Sequence, residues 1–349
     1  MEEAPAAPSQ RTGQKSHRSH HTDRTTVQSA RRRGPVRRGK AIMPPLAALA
    51  FTEDRRRSTG ESHQALCTLL GEGGQALPIP AARHPEQAQL ETAVFLACCK
   101  IGGLSEHPLG IVHVRPEEDQ LTIRVVNEPY VVHYWAEFLL PRLSSEDALD
   151  PRDQVSGVAG LRYRREGSQI CLHRPGMPAR IMLTGFNPWW WQRIADRLTA
   201  DYDLLQSEPD WTPVERAAYL ATAATSFEPA SLFSPLLRRI RATAGPGSIN
   251  STDAWSAIGG NFRLETTDGP PCPDLIRLLG NGPTGLGWEV DDKSCTCLCD
   301  HTHTAVGCNI DFREPATGRF VYYSNTKWGR TLDDRRRQTI SEMNRAAFT

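Results

Sequence analysis

The chain has 349 residues, of which 39% are hydrophobic, and its formal net charge is +1 with a pI near 7.6. This length can bury one large hydrophobic core or two ordinary ones, and the small net charge argues against strong binding of the whole chain to a polyelectrolyte. No apolar run reaches the roughly 18 residues of a membrane span, and the N-terminus lacks the apolar stretch of a signal peptide. The sequence therefore predicts a cytoplasmic protein with no membrane partner.

Two compositional features bear on the chemistry of the chain. Nine cysteines without a secretion signal are expected to be reduced thiols. Arginine outnumbers lysine by 36 to 5, and alanine, proline and glycine are abundant. This composition is typical of a high-GC bacterial coding bias, so an arginine cluster is weaker evidence of function here than in an average protein.

Residues 1–43 differ in charge from the rest of the chain. They carry a net charge of +7, whereas the residues after them carry −6, and they contain few apolar side chains. Such a segment cannot bury enough surface to fold, so we expect a disordered basic tail.

The arginines of this tail are candidates for contacts with nucleic-acid phosphates, because each neutralised phosphate releases counterions. They are Arg31, Arg32, Arg33, Arg37 and Arg38. The alternative is a solvated extension or a translated upstream region, since Met43 precedes the first apolar stretch.

The first predicted elements after the tail are a helix and a hairpin. The helix is expected over Glu86–Lys100, with Gly102 as its C-cap and the adjacent Cys98 and Cys99 buried. The hairpin pairs Ile111–Val114 with Leu121–Val126, and an apolar stripe predicts a helix directly after it. That stripe consists of Val131, Tyr134, Trp135 and Phe138.

The same order of elements recurs. Gln169–His173 and Arg180–Thr184 predict a second hairpin, and Asn187-Pro188 then supplies an N-cap and a proline for the first helical turn. A third version is predicted from Asn309–Phe312 and Phe320–Tyr323, followed by a helix from Leu332.

Three such units predict an α+β fold of repeated β-hairpin-then-helix units, in which an antiparallel sheet is covered by helices. The expected organisation is a tail over 1–43, an α+β domain with two units over 44–205, a helical connector over 206–248 and a C-terminal α+β region over 249–349. A helix on a sheet needs large apolar residues on its inner face, so Trp135 and Trp191 are expected in the core. Trp189 or Trp190 must face another way and is the candidate exposed contact.

Two helices are predicted in the connector. Thr212 and Glu215 have the spacing of a capping box, which starts a helix through Ala221, and a second helix is expected over Pro229–Ala244. Its arginines are expected on a solvated face, with contact to a nucleic-acid backbone as the alternative. They are Arg238, Arg239 and Arg241.

The densest chemical feature is a run of six potential metal ligands within fourteen residues. They are Cys295, Cys297, Cys299, His301, His303 and Cys308. Thiolate and imidazole are ligands that select zinc. Tetrahedral zinc needs donor atoms about 4 Å apart, whereas alternate residues of a strand lie about 6.5 to 7 Å apart. The segment must therefore turn, or only some of the six bind and a distant residue completes the site.

Other interpretations of this segment stay open. It lacks the paired C-x-x-C spacing of common zinc sites, and a reduced thiol-rich loop or partly buried cysteines acting as small apolar residues are the alternatives. Its D-H-T-H-T sequence resembles the H-x-H signature of metal-dependent phosphoesterase and amidohydrolase barrels. The resemblance implies a hydrolase in which His301 and His303 bind metal. The nearby Asp291, Asp292 and Asp300 are candidates for a further ligand or base. Such barrels need about 250 residues and further ligands on later strands, whereas only about fifty residues follow.

Taken together, these features predict a nucleic-acid-associated bacterial protein, regulatory or carried on a mobile element. The basic tail would contact DNA or RNA, a structural zinc ion would occupy the segment from Cys295 to Cys308, and exposed tryptophan and sheet surfaces would contact a protein partner. The alternative is a metal-dependent hydrolase that uses His301 and His303.

Overall fold

The computed structural model describes residues 46–69, 78–99, 105–144, 148–224, 230–245, 251–256, 260–291 and 307–326, with 334–335, 338–339, 341–342 and 345. The predicted basic tail, most of the Cys/His-rich segment and most of the helix predicted from Leu332 lie outside these residues.

Most of the helices begin at or next to a proline. A proline in the first turn is tolerated because the first amide groups of a helix have no acceptor within it. The helices are α1 (Leu46–Thr59), α2 (His63–Leu69), α3 (Pro85–Cys98), α4 (Pro129–Leu139), α5 (Pro151–Gln154), α6 (Pro188–Asp201), α7 (Pro213–Ala224), α8 (Ala230–Leu237) and α9 (Cys272–Leu279).

The strands form two five-stranded sheets and a two-stranded ribbon. They are β1 (Ile111–Pro116), β2 (Leu121–Val125), β3 (Arg142–Leu143), β4 (Val155–Ser156), β5 (Arg162–Glu166), β6 (Gln169–His173), β7 (Arg180–Thr184), β8 (Ser251–Ser256), β9 (Phe262–Thr267), β10 (Glu289–Val290), β11 (Gly307–Arg313) and β12 (Phe320–Thr326).

The first sheet has the order β1-β2-β7-β6-β5. The pairs β1–β2, β7–β6 and β6–β5 are antiparallel. Strands β2 and β7 run parallel, with Leu121 opposite Ile181 and Ile123 opposite Leu183. The predicted hairpins β1–β2 and β6–β7 therefore meet at a parallel seam in one sheet. Parallel neighbours require a crossover, which here includes α4.

The second sheet has the order β10-β11-β12-β9-β8 and is also mixed. The predicted hairpin β11–β12 is antiparallel, and β12 runs parallel to β9, with Tyr323 opposite Leu264. The fold is α+β, as the sequence predicts, but its sheets are mixed rather than wholly antiparallel. That the hairpin-and-helix units form a true repeat stays a prediction.

Local capping interactions fix two of the helix starts. The Asn187 side chain accepts a hydrogen bond from the Trp189 amide at 3.0 Å, which caps α6. At α7, the Thr212 hydroxyl donates to Glu215 at 3.0 Å, and the Glu215 amide donates to the Thr212 hydroxyl at 3.3 Å. These contacts satisfy amide groups that the first helical turn leaves without partners, and they confirm the predicted capping box.

One continuous hydrophobic core joins both sheets. Phe233 of α8 stacks on Phe95 of α3, with ring centroids 5.2 Å apart, and meets Phe262 of β9 edge-on at 4.6 Å. Trp135 and Trp191 are buried in this core as predicted, and so are Cys98 and Cys99. Trp189 is 51% exposed, which fits the prediction that a neighbour of Trp191 faces solvent.

The predictions for Arg238 and Arg239 were wrong, because both side chains are buried rather than solvated. Arg238 donates to both carboxylate oxygens of Glu91 on α3, at 2.8 and 2.6 Å, and to the carbonyls of Pro80 and Glu117. Arg239 donates to the carbonyl of Thr284 at 2.6 Å. A buried guanidinium is tolerated when such acceptors surround it.

Within the described ranges, no helix is both long and apolar enough to cross a membrane.

Candidate functional site

Most of the residues predicted to be functional lie outside the described residues. These are the tail residues Arg31, Arg32, Arg33, Arg37 and Arg38, and Cys295, Cys297, Cys299, His301 and His303 of the Cys/His-rich segment. Their proposed roles stay predictions.

Cys308 is the member of the predicted metal-ligand set that the structure describes. It lies in β11, and its sulfur is bonded to that of Cys272 at the start of α9, with Cα atoms 6.9 Å apart. This differs from the expectation that all cysteines are reduced. A sulfur in a disulfide supplies no thiolate, so the pair must be reduced before Cys308 can bind zinc. Cys272, which lies outside the Cys/His-rich segment, is therefore adjacent to Cys308.

In the part of the chain that the structure describes, no group of three or more His, Cys, Asp or Glu side chains is placed to hold a metal ion. Asp291, named above as a possible ligand or base, follows β10, and its amide donates to the carbonyl of Asp311. The zinc and hydrolase predictions are not tested by these contacts.

The first sheet brings together a set of arginines that the sequence does not show as a cluster. Side chains alternate between the two faces of a strand, and residues in register share a face. One face carries apolar residues of β2, β6 and β7 that belong to the core, and the other face carries arginines. We call this second surface the arginine face, defined by Arg115, Arg124, Arg164 and Arg180.

The strand register fixes how these arginines are arranged. Five residues in register, one on each strand from β1 to β5 in sheet order, form the middle row of this face. They are Arg115, Thr122, Met182, Cys171 and Arg164. Arg124 lies on one side of this row, beside Thr184, and Arg180 lies on the other side, beside His173. Met182 and Cys171 are buried but are not part of the core cluster. The four arginines therefore surround a small buried centre.

The arginine face has an excess of positive charge. Arg115 pairs with Glu117 at 3.1 Å and Arg164 with Glu166 at 2.6 Å, and both arginine side chains are more than half exposed. Arg124 and Arg180 are exposed, and no described carboxylate lies within ion-pair distance of either. Four guanidinium groups against two carboxylates leave two positive charges unbalanced.

The two histidines and the cysteine of this face add no charge near neutral pH. Burial, together with the neighbouring arginines, lowers the pKa of His113 and His173, which keeps both imidazoles neutral. Burial raises the pKa of the Cys171 thiol to about 11, so this cysteine is not a reactive thiolate. The hydrogen bond from Arg164 lowers the pKa of Glu166, which stays ionised.

Comparison of the chain with protein-family models, with curated proteins and with solved structures finds no match.

An exposed pair of an aromatic ring and a guanidinium lies on α6. The exposed ring of Trp189 lies under the guanidinium of Arg193, whose central carbon is 5.3 Å from the ring centroid. This pair belongs to a helix on the covered side of the first sheet, so it is separate from the arginine face.

Proposed function

We propose that the protein associates with nucleic acid through the arginine face, with the basic tail as a second electrostatic contact. The observation that carries the proposal is the pair Arg124 and Arg180, two exposed guanidinium groups without a described carboxylate partner on either side of the middle row. A planar guanidinium binds phosphate through two parallel hydrogen bonds, which makes arginine the usual residue for such contacts.

The dimensions of the face support contact with several phosphates. Strands lie about 4.8 Å apart, so Arg115 on β1 and Arg164 on β5 are separated by about 19 Å across the sheet. Arg124 and Arg180 are about 13 Å apart along the strands. Each strand of a duplex carries one charge per about 3.4 Å of helix axis, so a backbone crossing this face meets more than one guanidinium. Such contacts position nucleic acid without reading its sequence.

A charge-reversing double substitution, Arg124→Glu with Arg180→Glu, is expected to weaken binding of a short labelled DNA duplex by about tenfold to a hundredfold at low salt. Both side chains are exposed, so the melting temperature should change little. Fluorescence anisotropy measures the affinity, and single-stranded RNA is measured alongside the duplex.

The matched control is Arg165→Glu with Arg193→Glu, which changes the net charge equally. Both control arginines are exposed, and they lie on the other face of β5 and on α6. Retained affinity in the control supports a localised surface. An equal loss in both double variants would mean that only net charge matters, and unchanged affinity in the first would exclude the arginine face.

We also propose that the segment from Cys295 to Cys308 holds one structural zinc ion. Its donor types suit zinc, and reduction of the Cys272–Cys308 pair gives two adjacent thiols, which lose their protons when they bind zinc. Protein purified under reducing conditions should contain about one zinc, measured by elemental analysis, and Cys297→Ser with Cys299→Ser should remove it and lower the melting temperature. Cys67→Ser, at an exposed free cysteine, is the control and should retain the metal. A metal-free preparation with full stability would contradict this.

A further inference from the structure

A cavity of about 480 Å³ lies between α3, α7 and α8. Its walls are mostly small or apolar, including Ala88, Ala93 and Leu96 of α3, Ala223 of α7 and Pro235 of α8. This volume is within the range of sites that bind small organic molecules, which are lined by apolar groups with a few placed polar ones.

A buried arginine with no carboxylate partner in the described part of the chain lines this cavity. Arg174 directly follows β6 and is 4% exposed. Its Nε donates to the carbonyl of Ala159 at 3.2 Å, and its guanidinium lies 4.9 Å from the ring centroid of Tyr219. Its Nη1 is buried and has no hydrogen-bond partner among the residues that the structure describes. Burial lowers the pKa of Arg174 to about 10, so the group is still charged at neutral pH.

Other deeply buried arginines of the described chain show what Arg174 lacks. Arg55, Arg162 and Arg238, which like Arg174 are at most 5% exposed, each pair with a buried carboxylate, namely Glu61, Glu215 and Glu91. Arg239, at 8% exposed, has backbone carbonyls as its described acceptors, whereas a guanidinium nitrogen of Arg174 has no described acceptor. An unpaired buried charge is costly, and no such partner offsets that cost at Arg174. An anion would offset this charge, and the cavity that Arg174 lines has room for one.

A second residue that lines the cavity has a polar atom without a described partner. Thr92 of α3 is buried, and its Oγ1 makes no hydrogen bond within the described ranges. A hydroxyl can donate to an anionic oxygen. Arg174 and Thr92 both line this cavity, and each has one buried donor atom without a hydrogen-bond partner among the described residues. Alanines and a leucine of the lining offer apolar contact to an occupant.

We propose that this cavity, which we call the Arg174 cavity, binds a small organic carboxylate, with the carboxylate on Arg174 and Thr92 and the apolar body against α3 and α7. One guanidinium balances one carboxylate, whereas a doubly charged phosphate would leave a buried charge uncompensated. The cationic groups at the rim do not change this balance, because Arg83 pairs with Glu118 and Asp119. The proposal does not depend on nucleic-acid binding.

Calorimetric titration of the full-length protein with benzoate, phenylacetate and octanoate tests the proposal. At least one should bind saturably at millimolar concentration, and the matching amides benzamide, phenylacetamide and octanamide should bind about tenfold or more weakly. Inorganic phosphate and phenyl phosphate are titrated in parallel. Absence of saturable binding by all three carboxylates, equal binding of the amides or tighter binding of either phosphate would overturn the proposal.

Substitutions separate a ligand-binding role from a structural one. Arg174→Met should weaken carboxylate binding about tenfold to a hundredfold and leave the melting temperature of the free protein unchanged or raised, because it removes an uncompensated buried charge. Thr92→Val should weaken binding about fivefold. Thr222→Val is the control, because Thr222 lines the same cavity but its hydroxyl already donates to the carbonyl of Ala218. This variant should retain the carboxylate affinity of the unsubstituted protein. A lower melting temperature with unchanged affinity in Arg174→Met would assign Arg174 a structural role and overturn the proposal.

Discussion

Replacement of Arg238 by methionine is expected to lower the free energy of unfolding by about 3 to 5 kcal/mol. The substitution leaves Glu91 fully buried without the two hydrogen bonds that it receives from the guanidinium, at 2.8 and 2.6 Å. It also removes the donor to the carbonyls of Pro80 and Glu117. Urea denaturation followed by circular dichroism measures the change.

Two further variants define the origin of this effect. Combining Arg238→Met with Glu91→Leu should destabilise the protein less than Arg238→Met alone, because no unpaired charge is then buried. Arg115→Met is the matched control at an exposed ion pair with Glu117, and it should cost about 0 to 1 kcal/mol. If Arg238→Met proved as mild as Arg115→Met, the buried pair would not stabilise the fold as described.

Truncation of Trp191 to alanine, as a separate single substitution, is expected to lower the free energy of unfolding by about 3 to 5 kcal/mol. The ring is fully buried between Tyr163, with centroids 5.9 Å apart, and Phe186, at 6.3 Å. Its removal therefore leaves a cavity where α6 packs on the first sheet. The same denaturation experiment measures the loss.

Trp189→Ala is the control on the same helix, because half of that side chain is exposed. We expect a change within about 0.5 kcal/mol. Equal destabilisation by the two truncations would show that α6 does not bury one tryptophan and expose the other.

Features that depend on neighbouring residues could be predicted from the sequence. The Asn187 cap and the capping box of Thr212 and Glu215 are formed by residues two or three positions apart, and both are present. The burial of Trp135 and Trp191 follows from apolar periodicity within a single helix.

Features that depend on distant partners could not be predicted in this way. Arg238 has the spacing of a solvated helix face, but its partner Glu91 is 147 residues away. The arginine face requires β2 to lie beside β7, and nothing within either strand indicates that pairing. Cys272 and Cys308 are 36 residues apart, and Arg174 lies in a proline- and glycine-containing turn that gives no sign of its burial.

The proposed association with nucleic acid is tested most directly by the salt dependence of DNA affinity. Three proteins are compared, namely the full-length protein, a form starting at Met43 and the double variant Arg124→Glu with Arg180→Glu. For each, the logarithm of the association constant is plotted against the logarithm of the salt concentration between about 50 and 200 mM. We predict steep slopes for the full-length protein, with a slope shallower by about two for the double variant, because each lost phosphate contact changes the slope by about one. The form starting at Met43 should bind more weakly at low salt and approach the full-length protein at high salt. Equal, weak and salt-insensitive binding by all three proteins would contradict the account.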